Sequence, residues 1–400
     1  MKEAARYFVL ALALRAVWAV VIPPLYAPDE AAHLRTIRFF SERMRLATAE
    51  EIQSGAHGFY IASSPLPHLP FILGDRAATA MTGAPAPLLA LRLAAALCGA
   101  LLVLFASVIA QRVFPLHPLR WALPLACALH PQLVFVTAHV GWDPLSILAA
   151  TALIATWPGL IGDRLTARRV IFAGVSAGFV LLVKPTSFCV LPVHAVIFAA
   201  AVLRQREAAL FHIGLAALAC GVVAGPFLVH NWRLFPGDPF AIGAILHTPG
   251  VDWEPGRPAV GNLLFETRFL LNTFESAWAL FGFMDLKIAN TVYALIALTC
   301  VASTFGLARA WRAHLLPAPV FLAAGAAALA FAFASSYWTS VTNDYQPQGR
   351  YFFAAIVPML ALWLTGLQAL VRSPRRAMIV TTAALVLLNA YSLAVVRAHA

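Results

Sequence analysis

The sequence predicts an all-α polytopic membrane protein, and three observations carry that prediction. Hydrophobic residues make up 61% of the 400-residue chain and charged residues only 11%, whereas a soluble domain carries roughly 25% charged residues. Apolar runs of about 17–22 residues, enough to cross ~30 Å of hydrocarbon, recur from one end of the chain to the other. Acidic residues fall almost wholly in alternate connections between those runs, leaving the remaining connections short and basic.

The runs fall near 7–23, 88–110, 119–137, 144–161, 170–183, 188–203, 209–229, 289–308, 315–335, 351–370 and 377–396, about 11 transmembrane helices in a single membrane domain, 1–400. The short pair around "LLVKPTSFCVLP" reads either as a hairpin or as a broken helix. A cytoplasmic N-terminus makes the inside connections "MKEAAR", "QRVFPLHPLR", "GDRLTARR", "RQRE", "ARAWRAH" and "VRSPRR", all short and basic, as the positive-inside rule requires. Of the 17 acidic residues, only Glu3, Asp163 and Glu207 fall in them. Two long connections, 24–87 and 230–288, then lie outside.

A signal peptide ending at "LYA" is a competing reading of residues 1–27. Pro28 would follow that cleavage site and Arg15 interrupts the apolar core, so a retained first span is expected. The net charge of +11 is accounted for by the cytoplasmic connections and implies no nucleic-acid partner. The five cysteines lie in apolar stretches without CxxC spacing, which reads as packing rather than metal binding or disulfides.

Polar chemistry concentrates at the predicted outer face. The first outer connection opens with "APDEAAHLRTIRFFSERMR", where Leu34, Ile37, Phe40 and Met44 recur at helical spacing. That pattern predicts an amphipathic helix in the headgroup layer. Asp29 and His33 stand one turn apart on it. Asp29 after Pro28 is equally a helix cap, with Glu30 favoured by the helix dipole. "GAHGFYIASSPLPHLPFILG" brings His57 and His68 into a loop returning to the membrane surface, and Asp143 before Pro144 has the form of a helix start. Lys184, one of three lysines, sits in a polar turn at the outer end of the hairpin. There it either meets an anion or snorkels to water.

The last cluster is "SSYWTSVTNDYQPQGRYFFAAIVPML", with Asn343, Asp344, Gln348, Arg350 and Tyr351 ahead of an apolar span. An arginine at an outer helix end runs against the positive-inside tendency. A guanidinium fork matched to phosphate oxygens, beside the N–H groups of a helix start, explains its presence, with an internal Arg–Asp pair as the alternative. "HNWRLFPGDPF", "VDWEPGRPAV" and "ESAWALFGFMDLK" add aromatic residues and scattered charges to the second outer connection. HExxH and Walker motifs are absent from the sequence.

"PPLYAPDEAAHLR", "SSPLPHLPF", "LHPQLVFVTAHVGWDPLSI", "LLVKPTSFCVLP", "FESAWALFGFMDLK" and "QPQGRYFFAAIVP" follow one another in an order that resembles the DUF2142 family of bacterial membrane proteins. That family is grouped with the GT-C superfamily of polytopic glycosyltransferases. The resemblance covers nearly the whole chain and is most specific at P-D-E-x-x-H and Q-G-R-Y-F.

The resemblance implies a GT-C-like fold in the bacterial inner membrane, with an extracytoplasmic active site. It implies transfer of a sugar from a polyprenyl-phosphate donor to an envelope glycan, a lipid or a protein. Asp29 would be the base and Glu30 its partner, or the two would ligate a divalent metal (Mg or Mn). Arg350 and Lys184 would hold the donor phosphate. His33, His57, His68, Asp143, Asn343, Asp344, Gln348 and Tyr351 would contact the substrates. A flippase or transporter of lipid-linked sugars is the alternative, but it predicts inverted repeats and mid-membrane charges. No repeat is visible, and Arg15 is the one charge deep in a predicted span.

Overall fold

The computed structural model describes residues 2–205, 208–246, 261–371 and 373–399; the stretch "VDWEPGRPAV" lies outside them. Among the described residues, nine helical stretches are long and apolar enough to cross a membrane. They comprise α1 (Lys2–Val21), α5 (Leu88–Val113), α8 (Asp143–Ile154) continuing into α9 (Trp157–Gly162), and α11 (Val190–Leu203) with the turn before it. The others are α12 (Ala209–Leu234), α15 (Asn290–Arg312), α16 (Pro319–Thr342), α17 (Ile356–Ala369) with its leading turn, and α18 (Pro374–Arg397). The chain is a multi-pass membrane protein.

The other two expected spans take a different form. The run 119–137 is split at His130 into α6 (Leu119–Leu129) and α7 (Pro131–Val136). Pro131 has no N–H to offer the preceding turn, and the residue before a proline avoids the helical region. His130 accordingly turns extended, and its Nδ1 accepts a hydrogen bond from the Leu133 N–H at 3.3 Å. The run 170–183 is α10 (Ala167–Leu182), 16 residues long. At 1.5 Å per residue it reaches roughly 24 Å, short of a full crossing. It ends at Leu182, and after Lys184 a 3-10 turn (Pro185–Cys189) leads into α11. Arg169 at the start of α10 pairs with Asp163, and Arg204 just past α11 donates to the carbonyls of Leu160 and Ile161, so the two helices return to the same end as a hairpin.

Arg15 lies fully buried in α1 and has no carboxylate partner among the described residues. Its Nε donates to Thr137 Oγ1 at 2.7 Å, and its other nitrogens donate to the carbonyls of Ala11, Cys127 and Ala128. Cys127 and Ala128 belong to the last turn of α6, where the break leaves carbonyls without helical partners. A cation there also suits the negative end of the helix. Gly99 on α5 makes room, because a side chain at that position would come 2.3 Å from Arg15 Nε.

The 24–87 segment folds into α2 (Glu30–Arg43), α3 (Ala49–Ser54) and α4 (Leu69–Thr82), joined by 3-10 turns. A capping box between Thr48 and Glu51 starts α3, and Gly83 at φ 71° ends α4. α2 is amphipathic as expected, but protein covers most of its apolar face. Ile37, Phe39 and Phe40 join Ile52, Phe71, Ile72, Leu91 and Val140 in a small core of their own, while Met44 stays exposed. Helix α2 therefore packs on α4 and α5 instead of offering that whole face to the headgroup layer. The later segment contributes α13 (Ile242–Leu246), α14 (Leu263–Trp278) and a hairpin pairing Leu280–Phe281 with Leu286–Lys287.

Candidate active site

Four segments meet at one end of the bundle: the start of α2, the start of α8, the α10–α11 turn and the 3-10 turn Gly349–Ala355 ahead of α17. Each has a local reason for its shape. Asp29 adopts φ 62°, a left-handed conformation that Asp and Asn tolerate better than most residues. Pro144 and Pro185 fix the first turns after Asp143 and Lys184. Gly349 lets its turn lie directly on α14, since a side chain there would come 2.2 Å from the Ala277 nitrogen. The Gly349 N–H donates to Ser276 Oγ at 2.7 Å. That group is therefore not free for a phosphate, and anion-binding capacity at this turn rests with Arg350.

These segments bring together two carboxylates and two cations. Lys184 Nζ lies 2.9 Å from Asp143 Oδ1. Arg350 spans both acids, with Nη1 3.5 Å from Asp143 Oδ2 and Nη2 3.4 Å from Asp29 Oδ2. Its Nε donates to Gln348 Oε1 at 2.5 Å. Lys184 also sits over the rings of Tyr351 and Trp142, at 4.6 and 5.2 Å. The side chains of Asp143, Lys184 and Arg350 are 6, 5 and 9% exposed, whereas Asp29 is 40% exposed. Burial pulls the Lys184 ammonium down to about 8, against the opposing pull of Asp143.

Glu30, expected as the partner of the base or as a metal ligand, sits in a buried ion pair instead of facing the cluster. Its oxygens receive Arg92 Nε and Nη2 at 2.9 and 2.7 Å, and the N–H groups of Leu25 and Val140 at 3.1 Å each. Arg92 in turn caps the end of α1 through the carbonyls of Ala19, Ile22 and Pro23. The pair thus ties α1, α2, α5 and the segment leading to Asp143 into one corner. Arg92 was hidden in an apolar run, and its partner lies 62 positions away. An isolated arginine near a span end was the one signal for it.

His33 and His68 pair with each other, Nδ1 to Nε2 at 2.9 Å, and His33 stacks on Tyr60 with ring centres 4.2 Å apart. Tyr60 packs edge-on against Trp142 at 4.6 Å, so this aromatic layer backs the charged cluster. Burial keeps His33 well below the usual imidazole range and takes His68 to about 3. Gln348 and Tyr351 are in the cluster. Asp344 is linked to it through Gln346, which bonds both Asp344 and the Tyr351 hydroxyl. His57 packs on Phe39, and Asn343 follows the end of α16; neither contacts the cluster.

Two clefts flank the cluster. One is lined by Pro28, Gln132, Ser276, Met284, Gln348 and Arg350. The other is largely apolar, runs past Trp142, Val183, Pro185, Phe188, Phe227 and Phe240, and adjoins Lys184. Among the described residues, no three His, Cys, Asp or Glu side chains converge as a metal site would need. With Glu30 committed to Arg92 and Asp143 to Lys184, the residues around Asp29 do not fit a divalent ion.

Solved structures share the fold at low identity. ArnT from Cupriavidus metallidurans bound to undecaprenyl phosphate superposes with a TM-score of 0.58 at 17% identity, over 95% of this chain and 62% of that one. Its apo state gives 0.57 at 18%, over 93% and 61%. The Archaeoglobus fulgidus oligosaccharyltransferase complex with Zn and sulfate gives 0.52 at 14%, over 98% and 53%. This chain thus spans between half and two thirds of those proteins' length. No curated protein sequence matches it significantly. The architecture is GT-C-like. Residues 38–360 match the family described as "Predicted membrane protein (DUF2142)", and the chain belongs to that family.

Proposed function

We propose that the protein is a membrane glycosyltransferase that takes a sugar from a polyprenyl-phosphate-linked donor and transfers it to an acceptor hydroxyl or amide of an envelope glycan, lipid or protein. The carrying observation is the solvent-open carboxylate of Asp29 standing 3.4 Å from a guanidinium that, with Lys184, forms a buried two-cation site. The apolar lining of the cleft beside Lys184 is of the kind a polyprenyl chain would contact. Short, basic connections at the opposite end of the bundle support a cytoplasmic N-terminus. The reaction would then run on the extracytoplasmic side of the inner membrane.

With a hydroxyl acceptor, Asp29 takes the proton while the acceptor oxygen attacks the anomeric carbon. The bond from that carbon to the phosphate oxygen breaks, and its electron pair stays on the departing polyprenyl phosphate. Lys184 and Arg350 meet that charge where it develops, and a positioned base supplies roughly 10²–10⁴-fold. Lys184 has three donors, of which Asp143 takes one. No metal is needed for this scheme.

The test is to reconstitute the protein in vesicles with a panel of labelled polyprenyl-phosphate sugars and to measure transfer or hydrolysis. Release of polyprenyl phosphate by wild type, lost in Asp29→Asn, is the expected result. A folded wild type that moves donor across the bilayer without cleaving it would establish the flippase reading instead.

A further inference from the structure

Arg350 faces two anions already and, on the function proposed above, receives a third. Its contacts to Asp143 and Asp29, 3.5 and 3.4 Å, are long beside the 2.7 and 2.9 Å of Arg92 to Glu30, and charge-assisted bonds of this kind settle at about 2.7–2.9 Å. The guanidinium is oriented by Gln348 at 2.5 Å and by the Tyr351 ring, yet neither carboxylate saturates it.

The two acids differ in how replaceable they are. Asp143 is buried and fixed through its other oxygen by Lys184. Asp29 is 40% exposed and makes no side-chain capping bond to α2, so among the described residues its carboxylate is committed only to Arg350. The other charged or titratable groups facing Asp29 are Lys184, Tyr60 and Tyr351.

We infer that Arg350 couples the proton on Asp29 to the hold on the lipid phosphate, because ionised Asp29 and the phosphate compete for the same Nη2. This rests on the glycosyltransferase reading. As the acceptor proton reaches Asp29, that carboxylate loses its charge at the moment the leaving phosphate gains one. Arg350 then transfers its Nη2 from Asp29 to the phosphate. When the proton passes to water through the exposed side of Asp29, the ionised carboxylate reclaims Nη2 and loosens the product. Proton release thus drives product release without a separate conformational step.

The sign of the effect makes this testable, since deleting an ordinary site residue weakens binding. Asp29→Asn removes the charge and keeps a residue that tolerates the left-handed backbone. Asp29→Gly is a second charge-removing variant suited to the same positive φ. Undecaprenyl phosphate binding to the full chain in lipid nanodiscs is measured for wild type, both variants, Arg350→Gln and the Asp29→Asn/Arg350→Gln double variant, with melting temperature as the folding control.

Binding tightened by about threefold to tenfold in the folded single Asp29 variants is expected, with the gain absent in the Arg350→Gln background. Equal or weaker binding by the folded Asp29 variants, or a gain that persists without Arg350, overturns the inference while leaving the proposed function standing. Failure of wild type to bind undecaprenyl phosphate overturns both.

Discussion

Glu30 and Asp29 are neighbours in the chain and each meets an arginine, but the two pairs are built for different purposes. Glu30 is fully enclosed, and four donors reach its carboxylate at 2.7–3.1 Å. Asp29 makes one long contact to Arg350 and keeps much of its surface in water. A buried carboxylate that is fully satisfied is costly to disturb and has no lone pair free for chemistry. A half-exposed one with a single loose partner can take up and give back a proton. One residue step along the backbone, with Asp29 in the left-handed region, is enough to separate the two roles.

The largest effect that would break this comparison is on turnover. Asp29→Asn should lower sugar transfer by about 10²–10⁴-fold with little change in melting temperature; a folded, active variant would end its claim to be the base. Glu30→Ala should do the reverse, leaving Arg92 buried and unpaired at a cost of about 3–5 kcal/mol. Its readout is the yield of folded protein and the melting temperature. A Glu30→Ala protein as stable as wild type would show that the corner does not depend on the pair.

Next in size is a pH effect at Lys184, whose ammonium is held down to about 8 by burial. Its folded value lies below the ordinary 10.5, so the cation is present below about 8 and lost as pH rises through it. Undecaprenyl phosphate binding to wild type should therefore weaken between about pH 7 and 9. Lys184→Arg, with a guanidinium that stays charged, should flatten that decline; an unchanged profile would remove Lys184 from the phosphate site. The smallest effect belongs to the exposed Arg45–Glu51 pair. Arg45→Ala should shift the melting temperature too little to resolve, which calibrates the Glu30 result against a surface pair.

Much of this was legible in the sequence because hydropathy reports on the membrane directly. Nine of the expected spans are long apolar helices, and the two exceptions carry visible causes, Pro131 in one and a 16-residue length in the other. Asp29, Asp143, Lys184 and Arg350 were each nameable from residue type and position. What the sequence did not disclose was their pairing. The Arg350 contacts join positions 207 and 321 residues apart, and the Lys184 contact spans 41. The partner of Glu30 was hidden for the same reason, since it is an arginine in α5. The apolar face of α2 was legible as a face, but periodicity does not say whether lipid or protein covers it.

Arg15 bears on how the protein is assembled. Its partners near residues 127–137 are synthesised more than a hundred residues after it, so α1 reaches the bilayer before the groups that satisfy its guanidinium exist. An arginine near a span centre adds roughly 2.5–3.5 kcal/mol to the cost of insertion. Until the broken α6–α7 element arrives, α1 is held in place by the rest of its apolar sequence or by the insertion machinery. The break that leaves carbonyls unpaired in α6 is therefore also the feature that completes the seating of the first helix.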